Sequence, residues 1–135
     1  MRDEGLEKQA AEWFERGRHD IEMAQLLYDE RGYTDTIAFL IQQALEKYLK
    51  GFLVFKGIAP RKTHNLDFLL KKILELDTGF DEFIELCRKA TKYYIEERYP
   101  PSPVPQYTYE EIKADLDKAW ELIIKIREKC KIKDT

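Results

Sequence analysis

Histidine and cysteine are scarce in this chain, two of each in 135 residues, and the scarcity removes whole classes of chemistry. Zinc sites draw on clusters of these residues at short spacing. Cys87 and Cys130 stand far apart, with no CxxC pair, and no metal or other cofactor is expected. Both cysteines fall on apolar helix seams and read as buried free thiols. The six glycines never gather into a phosphate-cradling loop. Alternating apolar and polar runs are missing, as are hairpin dipeptides, so nothing reads as a strand. A serine nucleophile constellation and a dinucleotide fingerprint are absent too. The longest apolar helix is interrupted by Glu46, Lys47 and Lys50, which excludes a membrane span. The first residues, MRDEGLEKQ, lack the apolar centre of a signal peptide. A cytoplasmic, reducing compartment is therefore expected.

What remains is a chain 44% hydrophobic and 36% charged, with a net charge of −3. That apolar content supplies a core and argues against disorder. The negative balance excludes a surface coated in basic residues, while leaving room for a local basic cleft. One domain over residues 1–135 is expected, with no internal repeat.

The central stretch runs from Thr34 to Lys56. At about 100° per residue, Gln42, Gln43, Glu46, Lys47 and Lys50 share one arc of roughly 140°. Most of the rest is apolar, including Ile37, Ile41, Leu45, Leu49 and Phe52. So wide an apolar face must be covered by several helices. A first helix over about Asp3 to Glu30 carries Phe14, Gly17, Ile21, Ala24 and Tyr28 on one seam. Gly17 there weakens the helix unless a neighbour approaches closely. Gly32 is a plausible C′ residue for this helix, and Thr34 or Asp35 can cap the next.

The central helix ends at Gly57, and Pro60 follows, which a helix interior would not tolerate. Thr63 or Asn65 can cap a short third helix through Leu66, Leu69, Leu70, Ile73 and Leu76. A fourth helix from about Phe80 carries Phe83, Cys87, Ala90 and Tyr94, and stops at Arg98-Tyr99 before the proline-rich loop 100–105. Thr108-Tyr109-Glu110-Glu111 fits a capping box for the last helix. Its seam is Ile112, Leu116, Ala119, Ile123, Ile126 and Cys130. The expected fold is all-α: an antiparallel up-and-down bundle of four long helices and one short one.

Few residues are placed to carry chemistry. His64 follows Arg61-Lys62-Thr63. It is either a structural residue at a helix start or a ligand-facing group beside a basic cluster. Arg98, held before a stiff loop, suits bidentate phosphate binding. It equally suits the dipole at a helix C-terminus. Glu46 and Lys50 have the favourable i,i+4 order of a surface pair. Lys47 has no acid at i−4. Phe39 and Val54 interrupt the polar arc, covered either by other helices or by a second copy of the chain.

Taken in order, Trp13 and Ala24, the run Gln43-Ala44-Leu45-Glu46-Lys47-Tyr48-Leu49-Lys50, the run Lys62-Thr63-His64-Asn65-Leu66, and Arg98-Tyr99-Pro100 resemble the HEPN superfamily of helical domains. The resemblance implies a helical bundle, usually a homodimer, often encoded beside a minimal nucleotidyltransferase as a toxin–antitoxin or related pair. Many members are metal-independent ribonucleases. Those carry an arginine, four to six residues, then a histidine; here no histidine follows Arg98. The resemblance therefore implies a nucleotide- or RNA-binding module, and its enzymatic status leans towards none; a metal-independent ribonuclease is the alternative, and a purely structural helical dimerisation domain a further one. Arg98, Tyr99, Lys62, His64 and Lys47 are the expected ligand-binding residues. Arg98 and His64 are the pair a ribonuclease would use. Tyr107 and Tyr109 lie loosely where some relatives are nucleotidylated. The clusters around His64 and Arg98 are expected at the same end of the bundle.

Overall fold

The structure, a computed structural model, describes residues 4–94, 100–101 and 103–131. The described residues form five α-helices: α1 (Glu4–Asp29), α2 (Thr34–Phe55), α3 (Leu66–Leu74), α4 (Ile84–Thr91) and α5 (Tyr109–Cys130). A 3-10 turn, Thr78–Phe83, precedes α4. No strand occurs among the described residues.

Most of the apolar circumference of α2 is buried within one chain, from Ile37 to Phe55, with Phe39 and Leu40 half-buried. Its largest interface is with α1. Two glycines let these helices approach. A Cβ on Gly17 would lie 2.7 Å from the Tyr48 ring, and one on Gly51 would lie 2.6 Å from the Phe14 ring. Phe14 and Tyr48 stack on each other, centroids 5.5 Å apart. The contact that Gly17 needs is thus supplied by α2.

The turn between these helices departs from expectation in detail. Arg31, not Gly32, adopts the left-handed conformation, with φ 61°. The Gly32 and Arg31 N–H groups donate to the carbonyls of Leu27 and Tyr28, the paired bonds of a Schellman motif. The Arg31 side chain lies over the Tyr109 ring, 4.2 Å from its centroid. Tyr33 is the N-cap of α2 and makes no side-chain cap bond. Thr34 instead accepts from the Tyr107 N–H, tying the start of α2 to the entry of α5. At the other end Gly57, φ 83°, closes α2 with the same pair of bonds, the Gly57 N–H donating to Val54 and the Ile58 N–H to Leu53.

The direction of α3 differs from an up-and-down path. The connection after α2 climbs back along that helix, so that His64 reaches Glu46 and Gln42 near its middle. Asn65 then caps α3 by accepting from the Phe68 N–H. α3 runs the same way as α2, and Asp77 beyond it meets Lys129 at the far end of α5, 3.0 Å away. Nine residues rise only about 13 Å, against about 33 Å for α2. α4 returns in the opposite sense. It covers eight residues rather than a long helix, because the 3-10 turn takes Phe80 and Phe83.

Beyond Thr91 the chain tightens into i→i−3 bonds from Lys92, Tyr93 and Tyr94. Tightening from 3.6 towards three residues per turn shifts the seam by one position. Tyr93 takes the core place and Tyr94 is left half-buried. α5 starts at the Thr108 cap, whose hydroxyl accepts from the Glu111 N–H at 3.0 Å. Its expected seam is buried throughout. Cys87 and Cys130 are buried free thiols. Burial, with some help from Asp67, pushes the Cys87 thiol up to about 12.

Replacing either interface glycine by alanine gains helix propensity, about 1 kcal/mol. It also drives a methyl group into an aromatic ring, which costs about 1–3 kcal/mol. Gly17→Ala and Gly51→Ala are expected to lower the unfolding free energy in urea titrations, by about 1 kcal/mol net. A gain in stability at both positions would show that the helices are not held at this separation.

Candidate functional site

The polar arc of α2 is divided between two neighbours. On one side Lys47 reaches α1 and pairs with Asp20 at 2.5 Å, both groups mostly buried. On the other side lies a connected cluster of Gln42, Glu46, Lys50 and His64. Gln42, Glu46 and Lys50 are all buried, so the Glu46–Lys50 pair is not the surface pair its spacing indicated. The climbing connection brings His64 down on Glu46, and Trp13 of α1 lies beside the Lys50 ammonium, 5.5 Å from ring centroid to Nζ.

Glu46 is the hub. Its Oε2 accepts from Lys50 Nζ at 3.0 Å. Its Oε1 faces His64 Nδ1 at 2.9 Å and accepts from Gln42 Nε2 at 3.2 Å. The Gln42 amide also donates to the His64 carbonyl at 3.1 Å, and Gln43 Nε2 donates to Gln42 Oε1 at 2.6 Å. A carboxylate that already accepts from lysine and glutamine is an acceptor, so Nδ1 carries the proton of the neutral ring. The Nε2 edge is left facing away from Glu46. One face of the imidazole stacks on Tyr94, centroids 3.9 Å apart and planes 26° apart. The side chain is nonetheless 49% exposed.

Lys62 is exposed on the same connection, and Arg61 beside it lies over the Phe68 ring, 5.3 Å from the centroid. The end of α4 is therefore brought to the second connection through the Tyr94–His64 stack. Arg98 and Tyr99 lie outside the described residues. Lys47 is turned to Asp20 and away from this cluster. Val54 is buried within the chain, and Phe39, half-buried, stacks on Tyr94 at 6.1 Å.

A second cluster was not anticipated. Tyr93 donates to the buried Asp115 at 2.6 Å, and Lys89 pairs with the same carboxylate at 3.2 Å. Burial, followed by the Asp115 contact, raises the Tyr93 phenol well above its ordinary value. Tyr107 packs edge-on against Tyr93, centroids 4.9 Å apart. The Tyr109 hydroxyl is shared between the carbonyls of Arg31 and Gly32, at 2.9 and 2.8 Å. These contacts anchor both ends of the proline-rich connection. The signal available in the sequence was an aspartate inside the apolar arc of α5, where such a residue requires a donor. Among the described residues no group of three histidine, cysteine, aspartate or glutamate side chains gathers to hold a metal ion. No described helix is long and apolar enough to cross a membrane.

Comparison with known proteins places this arrangement in context. A model of the HEPN domain matches residues 10–132. The crystal structure of TT1696 from Thermus thermophilus superposes with a TM-score of 0.77 at 30% identity, covering 90% of this chain and 98% of that one. That of ST0689, an archaeal HEPN homologue, gives 0.72 at 23% identity, covering 90% and 97%. The second likeness is one of fold. No curated protein gives a significant match.

Removing one member of a buried ion pair leaves the other without its partner, at a cost of about 3–5 kcal/mol. Glu46→Ala is expected to reduce unfolding free energy by about that amount. Asp20→Ala, which frees the less deeply buried Lys47, should cost less, about 1–3 kcal/mol. Equal losses in the two variants, measured by chemical denaturation, would show that Glu46 is not a structural hub.

Proposed function

The chain belongs to the HEPN domain family, and on that premise we propose that it is a single-domain nucleotide- or RNA-binding module without catalytic activity of its own. In this reading it works in the cytoplasm with a minimal nucleotidyltransferase, as one half of a toxin–antitoxin-like pair. The observation that carries the binding assignment is the half-exposed His64, held at its Nδ1 edge by buried Glu46 and flanked by Lys62. A fixed imidazole beside exposed cations suits an anionic ligand. Arg98 and Tyr99 belong to the same proposed site through their place in the family pattern and their proximity in sequence to Tyr94. Tyr107 and Tyr109 remain candidates for modification by the partner. In the free chain the Tyr109 hydroxyl is engaged, so its modification requires release of the α1–α2 turn.

A metal-independent ribonuclease is the second reading, and the Glu46–His64 pair favours it. A carboxylate that orients the Nδ1–H leaves Nε2 to exchange protons. Against it stands the lack of any histidine after Arg98. Incubating the purified protein with total RNA, beside Arg98→Ala and His64→Ala, separates the two. The binding module leaves the RNA intact. Cleavage by the wild type that disappears in both variants would overturn it.

The family resemblance further supports a homodimer, with a self-complementary contact about a twofold axis. The described core is closed within one copy, so dimerisation rests on surface residues rather than on an uncovered core. Light scattering at high micromolar concentration is expected to give twice the chain mass, and a larger mass with the cognate nucleotidyltransferase. A monomer mass that the transferase leaves unchanged would remove both partners.

A further inference from the structure

We infer that His64 is a stacking platform for an unpaired nucleobase, which makes the site selective for single-stranded RNA over duplex. This deepens the binding reading above and rests on it. The imidazole is fixed on three sides. Its Nδ1 edge is held by Glu46, its inner face by Tyr94, and its backbone carbonyl by Gln42. Tyr94 in turn lies nearly parallel to Phe39, planes 19° apart. With one face and one edge occupied, a side chain still 49% exposed presents its outer face and its Nε2 edge to solvent.

Such a ring has little rotamer freedom left to lose, so a flat partner stacks on it at low entropic cost. The surrounding charge selects what that partner is. Lys62 stands two residues before His64, and Lys92 two residues before Tyr94; both are exposed. Neither pairs with a carboxylate among the described residues, and Arg61 is engaged only over the Phe68 ring. Exposed cations within two residues of a stacked aromatic pair match the phosphate and base of a nucleotide. Bases inside a duplex already have both faces covered by their neighbours, so only an unpaired or splayed base can reach His64.

The test uses the full chain and a labelled short oligo(A) strand, alone and annealed to its complement. AMP and ribose 5-phosphate serve as competitors. The wild type is expected to bind the single strand at least tenfold more tightly than the duplex, and AMP should compete better than ribose 5-phosphate. His64→Ala is expected to weaken single-strand binding about tenfold. His64→Phe, which keeps a ring face, should remain within about threefold. Equal binding of single strand and duplex, with AMP and ribose 5-phosphate equivalent, would overturn the platform and leave a phosphate site standing. Binding that is lost in Lys62→Ala but unaffected in His64→Ala would do the same. No binding of any of these probes by the wild type would overturn the nucleotide-binding reading itself. The wild-type comparison of strand and duplex decides the question even if a variant does not fold.

Discussion

Burying the Glu46 carboxylate on α2 obliges other groups to come to it. Lys50 supplies a cation from the next turn, Gln42 an amide from the previous one, and His64 a ring N–H from a different part of the chain. Only the last requires a particular path. The connection after α2 must climb back to mid-helix before α3 can begin, and α3 then descends beside α2. α4 rises again and delivers Tyr94 to the inner face of the His64 ring. A buried charge without these partners would be costly. The geometry of the candidate site and the topology of the small helices are consequences of the same requirement.

The scaffold that holds this cluster is built from ordinary apolar packing made unusually close. Gly17 and Gly51 bring α1 against α2 so that Phe14 and Tyr48 fill the seam. α5 covers the other flank and carries its own buried carboxylate, Asp115, satisfied by Tyr93 and Lys89. The two polar clusters lie at either side of the α4 exit. One holds the platform residue, and the other fixes the return of the chain towards α5. Rigid support on both sides suits a site that recognises shape and charge, because little has to be ordered on binding.

Much of this architecture was legible in the residue pattern. The seams of α1, α2 and α5 appeared as 3-4 repeats, and the Thr108 and Asn65 caps as side chains able to accept from a free N–H. Three features were not. The arc of Gln42, Glu46 and Lys50 looks like a solvated face, because periodicity records polarity and not which loop returns to cover it. The direction of α3 depends on that same return, so connection length alone implied a simple alternation. Tyr93 and Tyr94 exchanged roles because the helix tightened just before them, a gain of about 20° per residue that no 3.6-residue pattern contains. For the site, Lys62 and His64 were legible as a basic entry to α3, whereas Glu46, Gln42 and Tyr94 became visible as their supports only in three dimensions. Arg98 and Tyr99 were singled out from the family pattern and lie outside the described residues.

Glu46 holds His64 with its proton on Nδ1 and its Nε2 edge turned outward. Nitrogen-15 NMR of the histidine side chains, recorded where the ring is neutral, reads the tautomer directly. The predicted result is an Nδ1–H His64 whose signal shifts towards the free tautomer mixture in Glu46→Gln, while that of the other histidine, the exposed His19 of α1, is unchanged. An Nε2–H tautomer in the wild type, or a His64 signal indifferent to Glu46, would contradict the account.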